Sequence, residues 1–415
     1  MNKISIALVA TLGLGGATAT AHANAFALNE FDAKAVGRGD AAAATDSDAS
    51  SIFYNVGGLG NAEGLQIRIS GSIVAPFASF TTNGTKIDSN TGAQPLPGAF
   101  ASARVHDMIV VGVGFTMPFG LALSWPDGAP TNNELHKQSL RTFFITPSIG
   151  VKLDKYVPGL SVGAGFDIVP ATVDLEQDVF FGDSTGTAHL GGTGMGYGGR
   201  IGAMYRPAGL PALSIGAMYR TDVKENFTGT GDFDADPLYR NQLPPDGDIS
   251  TSITLPQQVV GGVAYRALPQ LEIEANVLWT NWSKFKTLDV VVPSTTGTGT
   301  MTLSTDEQYQ NTVTGRLGVE YSLPEQGLGL RAGFMYDPTP IKTQYLTVRL
   351  PDIDRYVATV GASKAFGDYS VHVGLLYVLP QSRQTSNDTN MPVNKGTFDV
   401  QAFVASVTLA GTFGK

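Results

Sequence analysis

Apolar and polar residues alternate along most of the chain beyond residue 61. Leu65, Ile67 and Ile69, for example, are interleaved with Gln66 and Arg68. Successive side chains of a β-strand point to opposite faces, so this pattern predicts a strand with one apolar and one polar face. The alternation recurs over residues 271–279, 328–336 and 403–413. The sequence therefore predicts an all-β fold.

The alternating segments predict fourteen strands joined by connections of two lengths. Short connections such as 207–210 and 367–368 alternate with long ones such as 121–137, 179–191 and 231–248. An even number of strands, with short turns at one end and long loops at the other, is typical of a transmembrane antiparallel β-barrel. The predicted strands lie near residues 62–80, 98–106, 108–120, 138–153, 159–178, 192–207, 211–230, 249–267, 270–292, 300–322, 327–343, 353–366, 369–384 and 396–413.

Charges on the polar side of the strands indicate which face meets lipid. The strand predicted from residue 270 carries Glu272 and Glu274 on that side. A Lys or Arg facing lipid at mid-bilayer costs about 2–4 kcal/mol, and an acid somewhat less. We therefore expect the apolar face to point outward. A soluble β-sandwich is the alternative, but aromatic residues near strand ends, such as Tyr265 and Trp279, favour a barrel with interfacial girdles.

The N-terminus has the features of an export signal. Lys3 precedes an apolar stretch over residues 4–14, and Ala21-His22-Ala23 forms a cleavage pattern of small residues. This stretch is too short to span a bilayer, which needs about 20 residues. We expect residues 1–23 to be a signal peptide and the mature protein to lie in the outer membrane of a Gram-negative bacterium.

Composition argues against several kinds of site. The net charge of −9 disfavours a nucleic-acid surface, and the absence of Cys excludes disulfides and thiolate metal sites. The five His residues are scattered, so we expect no metal site and no cofactor. Residues 159–163 match the hydrolase motif Gly-x-Ser-x-Gly around Ser161, but they lie inside a predicted strand rather than at a strand-to-helix turn. We therefore do not expect an enzyme.

Residues 24–61 do not follow the strand pattern. They are rich in Ala, Gly and Asp, and contain apolar residues such as Phe31 and Phe53 that could anchor the segment. A disordered leader is one interpretation, and a plug folded inside the lumen is the interpretation we favour. The predicted organisation is then a signal peptide over 1–23, a plug over 24–61 and a transmembrane β-barrel over 62–415.

Several stretches, taken together and in this order, resemble the FadL family of outer-membrane channels for long-chain fatty acids and hydrophobic compounds. One departure is that Val56-Gly57 replaces the Pro-Ala of the family's plug motif. The stretches that carry the resemblance are Phe-Ala-Leu-Asn-Glu-Phe from Phe26, Ile-Phe-Tyr-Asn from Ile52, Met-Pro-Phe-Gly-Leu from Met117, Trp-Thr-Asn-Trp-Ser from Trp279 and Tyr-Asp-Pro-Thr-Pro from Tyr336.

The resemblance implies passive transport through an external groove, an internal pocket and a lateral opening beside a kinked third strand. In this sequence that strand carries Gly112 and Gly114. The residues expected to line the external groove, or alternatively to anchor in lipopolysaccharide, are Phe180, Phe181, Phe233, Leu238, Tyr239 and Leu243. Those expected in the plug and pocket are Phe26, Leu28, Asn55, Thr172, Gln177, Gln310, Arg331 and Arg355.

The pocket residues bear on the substrate. Fatty-acid channels resembling this chain place basic residues in the pocket, whereas Thr172, Gln177 and Gln310 stand at the corresponding places here. A buried carboxylate without partners is costly, which favours a neutral hydrocarbon, although Arg331 or Arg355 could receive a fatty acid. The expected partners are hydrophobic small molecules or fatty acids, together with outer-membrane lipid and lipopolysaccharide, for a chain acting as a monomer. A general porin for polar solutes is the alternative function.

Overall fold

The computed structural model describes residues 25–385 and 395–414, so the predicted signal peptide lies outside the described residues. Its secondary structure is almost entirely β. The strands are β1 (Leu65–Thr82), β2 (Thr85–Asp88), β3 (Gln94–His106), β4 (Ile109–Thr116), β5 (Gly120–Ser124), β6 (Lys137–Thr142), β7 (Phe144–Lys152), β8 (Leu160–Phe180), β9 (Thr185–Tyr205), β10 (Leu213–Arg220), β11 (Val223–Asp234), β12 (Gly247–Leu255), β13 (Gln258–Leu268), β14 (Leu271–Thr280), β15 (Thr287–Pro293), β16 (Thr300–Asp306), β17 (Thr312–Leu323), β18 (Leu328–Asp337), β19 (Arg355–Phe366), β20 (Tyr369–Gln384) and β21 (Thr397–Phe413).

These strands form one closed antiparallel barrel with fourteen crossings, which confirms the predicted fold class. Pairing of β1 with β21, from Leu65 opposite Phe413 to Thr81 opposite Thr397, closes the barrel. Some crossings consist of two strands in line with an irregular segment between them. These are β4 with β5, β6 with β7, β10 with β11, β12 with β13, β14 with β15 and β16 with β17.

Burial along β1 shows which face meets lipid. Ile67 and Ile69 are 42% and 61% exposed, whereas Gln66 and Arg68 are both 6% exposed. Apolar side chains therefore point out of the barrel and polar ones point into it, as the strand charges predicted. Within residues 25–385 and 395–414, no helix has the length and apolar character needed to cross a membrane.

Residues 25–61 occupy the lumen as a plug. They contain α1 (Ala33–Val36), α2 (Ser51–Tyr54) and a 3₁₀-helix (Val56–Asn61). On one side of the lumen, α1 packs against β19 and β20. On the other side, the 3₁₀-helix packs against β7, β8 and β9. The shorter 3₁₀-helices of the loops and turns span Pro130–Asn133, Arg240–Gln242, Trp282–Lys284, Pro324–Gln326 and Thr343–Tyr345.

One predicted loop is wrong. Residues 179–191 were expected to form a long external loop, but β8 continues to Phe180 and β9 begins at Thr185. The turn between them is tight because Gly182 adopts a φ of +97°, which costs glycine little. Each of these two strands has 21 residues, against about 9–11 needed to cross a bilayer, so the hairpin projects beyond the membrane.

Glycines of the wall allow the plug backbone to approach closely. Gly318 and Gly333 lie opposite each other on β17 and β18. A Cβ atom added at Gly318 would lie 2.6 Å from the backbone oxygen of Arg38, and one at Gly333 would lie 2.2 Å from its carbonyl carbon. Both distances are shorter than the closest approach of a Cβ atom to a non-bonded heavy atom. Only glycine at these positions leaves room for the plug.

We expect Gly318→Ala to displace the plug and to lower stability by about 1–3 kcal/mol, the usual cost of overpacking. Gly315→Ala on the same strand is the matched control, because a Cβ there has no neighbour within 4 Å. Urea unfolding in micelles and proteolysis of the plug measure the two effects. Equal stability and equal protease resistance of the two variants would contradict the packing role of Gly318.

Candidate functional site: two apolar cavities joined by the plug

Buried ion pairs attach the plug to the wall. Arg38 is 1% exposed, and its guanidinium lies 3.3 Å from Glu320 and 3.4 Å from Glu274. Glu274 also accepts hydrogen bonds from the backbone N–H of Ala44 and the hydroxyl of Thr45. An unpaired buried charge is costly, so these contacts fix the plug at one depth and one rotation.

A second set of charged contacts joins the start of the plug to β1. The Nε and Nη2 atoms of Arg68 donate to the two carboxylate oxygens of Asp32 at 2.7 and 2.9 Å. Lys34 lies 2.8 Å from Asp46 within the plug. These pairs place Asp32, Lys34 and Asp46 of the plug beside opposite charges inside the lumen.

Three residues predicted for the pocket belong to this structural framework. Arg331 donates to Glu320 at 2.9 and 3.0 Å, and Arg355 lies 3.1 Å from Asp337. Asn55 is fully buried and donates to the carbonyls of Ala43 and Ala203. The two arginines are thus bound to carboxylates of the wall, and none of the three residues lines either of the apolar cavities described below.

Above the plug, the irregular segments between strands direct aromatic side chains into the lumen. Phe26 of the plug lies at the centre, with its ring centroid 4.8 Å from that of Trp282 and 6.1 Å from that of Phe285. Phe119 and Tyr309 complete the group. A regular strand would send alternate side chains out to lipid, so the interruptions are what allow several neighbouring aromatic residues to point inward.

An internal cavity of about 130 Å³ lies beside this aromatic group and is called the inner cavity below. Phe26, one of the residues predicted for the plug and pocket, forms part of its wall. Polar side chains are confined to a few positions, including Glu307 and Arg349. Most of the lining is aliphatic or aromatic, with Leu121, Leu140, Val173, Ile253, Phe285 and Leu288 among the contributors.

The barrel wall is open between β3 and β5. β4 pairs with β3 as far as Phe115 opposite Ala99, and the chain then leaves the sheet at residues 117–119. Beyond that point β5 pairs with β6, and residues 94–98 of β3 pair with β1. The facing edges of β3 and β5 are not hydrogen-bonded to each other in the described pairing. A cavity of about 260 Å³, the wall cavity, occupies this gap and is lined by Leu28, Leu96, Met117, Leu121, Leu140 and Phe143.

The first described residues of the plug connect the two cavities. Phe26 lines the inner cavity and Leu28 lines the wall cavity. Between them the chain pairs with the interruption, because the N–H of Gly120 donates to the carbonyl of Phe26 and the N–H of Leu28 donates to that of Pro118, both at 2.8 Å. Leu121 and Leu140 line both cavities. A few side chains and one short backbone pairing therefore separate the lumen from the gap.

The residues predicted for the kink lie earlier in the strand. Gly112 and Gly114 belong to β4 and are paired on both sides, to β3 and to β7. A Cβ at either position would lie 2.9 Å from the side chain of Ile52, so these glycines make room for the plug. The strand is interrupted instead from Met117, next to Pro118, whose missing N–H cannot continue the ladder.

The three residues aligned with basic pocket positions also lie outside the apolar cavities. Thr172 is exposed on the outer side of the wall, where it lines a separate polar depression. Gln310 borders another polar depression near Pro338, and Gln177 is half-buried towards the outer end of β8. Their neutrality therefore does not report the chemistry of the inner cavity. The charged residues that line the inner cavity include Glu307 and Arg349, and neither of them was predicted from the sequence. The one signal in the sequence was that Glu307 breaks the alternation of its predicted strand.

The six residues predicted for an external groove are only partly brought together. Phe181 stacks on Tyr239 at 4.8 Å between ring centroids, and Phe233 and Leu243 are buried in an apolar cluster at the end of the projecting hairpin. That cluster also contains Phe181. Phe180 and Leu238 remain exposed, at 48% and 82%. The structure thus places a packed cluster here with two exposed apolar residues, rather than an open groove lined by all six.

The serine of the hydrolase-like motif has a structural contact. Ser161 is fully buried in β8, and its hydroxyl donates to the carbonyl of Gly57 in the plug at 2.6 Å. No cluster of metal-ligating side chains occurs in the part of the chain that the structure describes.

The barrel, the plug and the interrupted third crossing can be compared with known proteins. Residues 15–413 match the outer membrane protein transport protein family (OMPP1/FadL/TodX). The chain belongs to this family. It is therefore a protein of the Gram-negative outer membrane, in a family of channels for hydrophobic compounds.

Similar proteins span nearly the same length. The putative outer membrane protein NMB0088 of Neisseria meningitidis serogroup B is 24% identical, over 86% of each chain. The long-chain fatty acid transport protein of Escherichia coli K12 is 23% identical, over 91% of each. Among solved structures, a FadL homologue of Pseudomonas aeruginosa has a TM-score of 0.79 at 18% identity, covering 94% of this chain and all of its own. A structure of the Pseudomonas putida toluene transporter TodX has a TM-score of 0.75 at 17% identity, with the same coverage.

The ion pairs of this family member can be tested at Arg38. Arg38→Met leaves Glu274 and Glu320 without the plug's cation, and loss of one member of a buried pair costs about 3–5 kcal/mol. We expect a lower unfolding midpoint in urea and a larger single-channel conductance, because the plug loosens. Lys86→Met is the control, since the pair of Lys86 with Asp88 is exposed. If both variants behaved like the wild type, Arg38 would not be an anchor of the plug.

Proposed function

We propose that the protein is a passive channel through which hydrophobic small molecules enter the inner cavity from outside and leave sideways through the gap between β3 and β5. The observation that carries this route is the pairing of residues 26–28 with residues 118–120, because it lies between the two cavities. A small shift of this segment would join them. No energy source is needed when the ligand moves down its concentration gradient.

The free energy gained by burying a hydrophobic ligand suits a channel rather than a storage site. A buried aromatic ring removes roughly 150 Å² of surface from water, worth about 4 kcal/mol at 25 cal/mol per Å². Such a binding energy corresponds to a dissociation constant of about 1 mM. A ligand held this weakly leaves quickly, as a channel requires.

Two further observations support a hydrophobic substrate over the polar solutes of a general porin. The lumen is occupied by the plug, whose charged groups are largely paired with one another or with the wall. Relatives named for long-chain fatty acid or toluene transport share the fold or the family. We therefore propose that this chain also transports a hydrophobic substrate, either a long-chain fatty acid or a compound like toluene.

We also propose that one chain works alone among the lipids of the outer leaflet. Both cavities and the plug are formed by the same barrel, so no second copy is needed to complete the route. Exposed Phe180 on the projecting hairpin and exposed Leu238 in the loop between β11 and β12 would contact lipopolysaccharide. No separate external groove is required for entry into the inner cavity.

Transport and conductance together test the function. We expect purified protein in liposomes to bind and pass labelled aromatic or aliphatic compounds, and to show little ion conductance in planar bilayers because the plug fills the lumen. Empty liposomes and liposomes with heat-denatured protein provide the background. Large steady conductance without hydrophobic uptake would mean that the protein is a porin.

The lateral exit can be tested by filling the wall cavity. Ala122 lines this cavity, and we expect Ala122→Trp to lower hydrophobic uptake several-fold because the indole occupies the gap. Ala101→Trp is the matched control, as Ala101 lies on the part of β3 that is paired with both β1 and β4. Uptake that is equally fast in both variants would place the exit elsewhere.

A further inference from the structure

The mostly apolar lining of the inner cavity includes two acidic residues, Glu307 and Asp174. Asp174 is already paired with His189 at 2.8 Å, which leaves Glu307 as the acid that a ligand can engage. Glu307 lies directly after β16, in the irregular segment before β17, and is among the residues that line the cavity. The backbone N–H of Glu307 is bonded to the carbonyl of Lys286 at 2.8 Å, so the residue is held in place. The Tyr309 hydroxyl is a hydrogen-bond partner of the carboxylate. A ligand in this cavity therefore meets a fixed hydrogen-bond acceptor.

The cation of the same cavity is already engaged. Arg349 lies 3.7 Å from the carboxylate of Glu134, donates to the carbonyl of Glu134 at 3.4 Å and donates to the hydroxyl of Thr305 at 3.1 Å. Arg349 therefore pairs with Glu134, and its charge also attracts the carboxylate of Glu307. Apart from the paired Asp174, the local balance is this one cation against the carboxylates of Glu134 and Glu307. An anionic ligand would bring a third negative charge into a site of low polarity, where like charges repel strongly.

The volume restricts the ligand as well. The inner cavity measures about 130 Å³, and an engineered protein cavity of about 150 Å³ is known to bind benzene. A single aromatic ring therefore fits, whereas a long acyl chain would have to extend into the wall cavity.

We propose that Glu307 makes the inner cavity selective for neutral, single-ring aromatic compounds, above all those carrying a hydroxyl or N–H donor, and excludes aromatic anions. The inference rests on the proposed function and names the substrate class of the same site. Glu307 accepts the ligand's donor, the apolar wall covers the ring, and the excess negative charge repels a carboxylate or sulfonate.

Protonation of Glu307 gives the selectivity a pH dependence. Burial raises the pKa of Glu307 to about 7, while Arg349 and the hydrogen bond from Tyr309 act in the opposite direction, and Glu134 and Asp306 add to the rise. Below this pKa the group is neutral, so the repulsion of anions is present at higher pH and is lost as the pH falls. The exclusion of anions should therefore weaken on acidification.

Ligands of matched shape isolate the effect of charge. Calorimetric titration of the full protein in micelles would compare p-toluenesulfonamide with p-toluenesulfonate, which differ in charge but little in shape, and p-cresol with toluene, which differ by one donor. For the wild type we expect the sulfonamide to bind at least about tenfold more tightly than the sulfonate, and p-cresol to bind more tightly than toluene. In Glu307→Gln both preferences should shrink. Glu325→Gln, in the exposed turn Pro324–Gln326, should behave as the wild type.

A pH series supplies a second readout. Between about pH 8.5 and about pH 5.5 the sulfonate stays charged, so tighter sulfonate binding at the lower pH reports neutralisation of Glu307, and this change should be absent in Glu307→Gln. If toluene binds but the substitution leaves the preferences and their pH dependence unchanged, the role of Glu307 is overturned while the proposed function stands. If no aromatic ligand binds the wild type, both are overturned.

Discussion

Every backbone N–H and C=O group within the hydrocarbon layer needs a partner inside the protein, and the barrel meets this requirement by closing on itself. A lateral exit conflicts with that rule because it leaves strand edges unpaired. Here the conflict is resolved by the plug, since the N–H of Gly120 and the carbonyl of Pro118 find partners in residues 26–28. The opening of the wall therefore depends on the position of the plug's first residues.

The contact between plug and wall explains an unusual composition. The chain contains 50 glycines in 415 residues, and many of those on the inner face meet plug backbone at distances that exclude a Cβ atom, as at Gly163, Gly216 and Gly333. Glycine weakens a strand, but a strand held on both sides in a closed barrel tolerates it. The lumen can then be filled by backbone, and buried pairs such as Arg38 with Glu274 set the alignment.

The regular part of the molecule could be predicted from the sequence, and the irregular part could not. Period-two alternation predicts the strands, their number and the lipid-facing side, because each strand must present an apolar face to lipid whatever its neighbours are. Interruptions such as residues 117–119 or 281–286 show no regular alternation of apolar and polar residues. The sequence therefore does not indicate whether their side chains face the lumen or the lipid. Phe26 and Leu28 were predicted for the plug and pocket through resemblance to a plug motif, not through periodicity. Gly112 and Gly114 were misplaced because glycines that make room for a plug look like glycines that permit a kink.

The same distinction explains where specificity can change. A charge on the outer face of a strand is opposed by lipid, and a charge on the inner face must match the plug, so neither position is free to vary with the ligand. Glu307 and Arg349 lie in irregular segments between strands, where the cavity sets the cost of placing a charge. A single substitution there alters the polarity seen by the ligand without breaking a ladder hydrogen bond or a plug contact. Selectivity can thus differ between relatives that share the barrel, the plug and the gap.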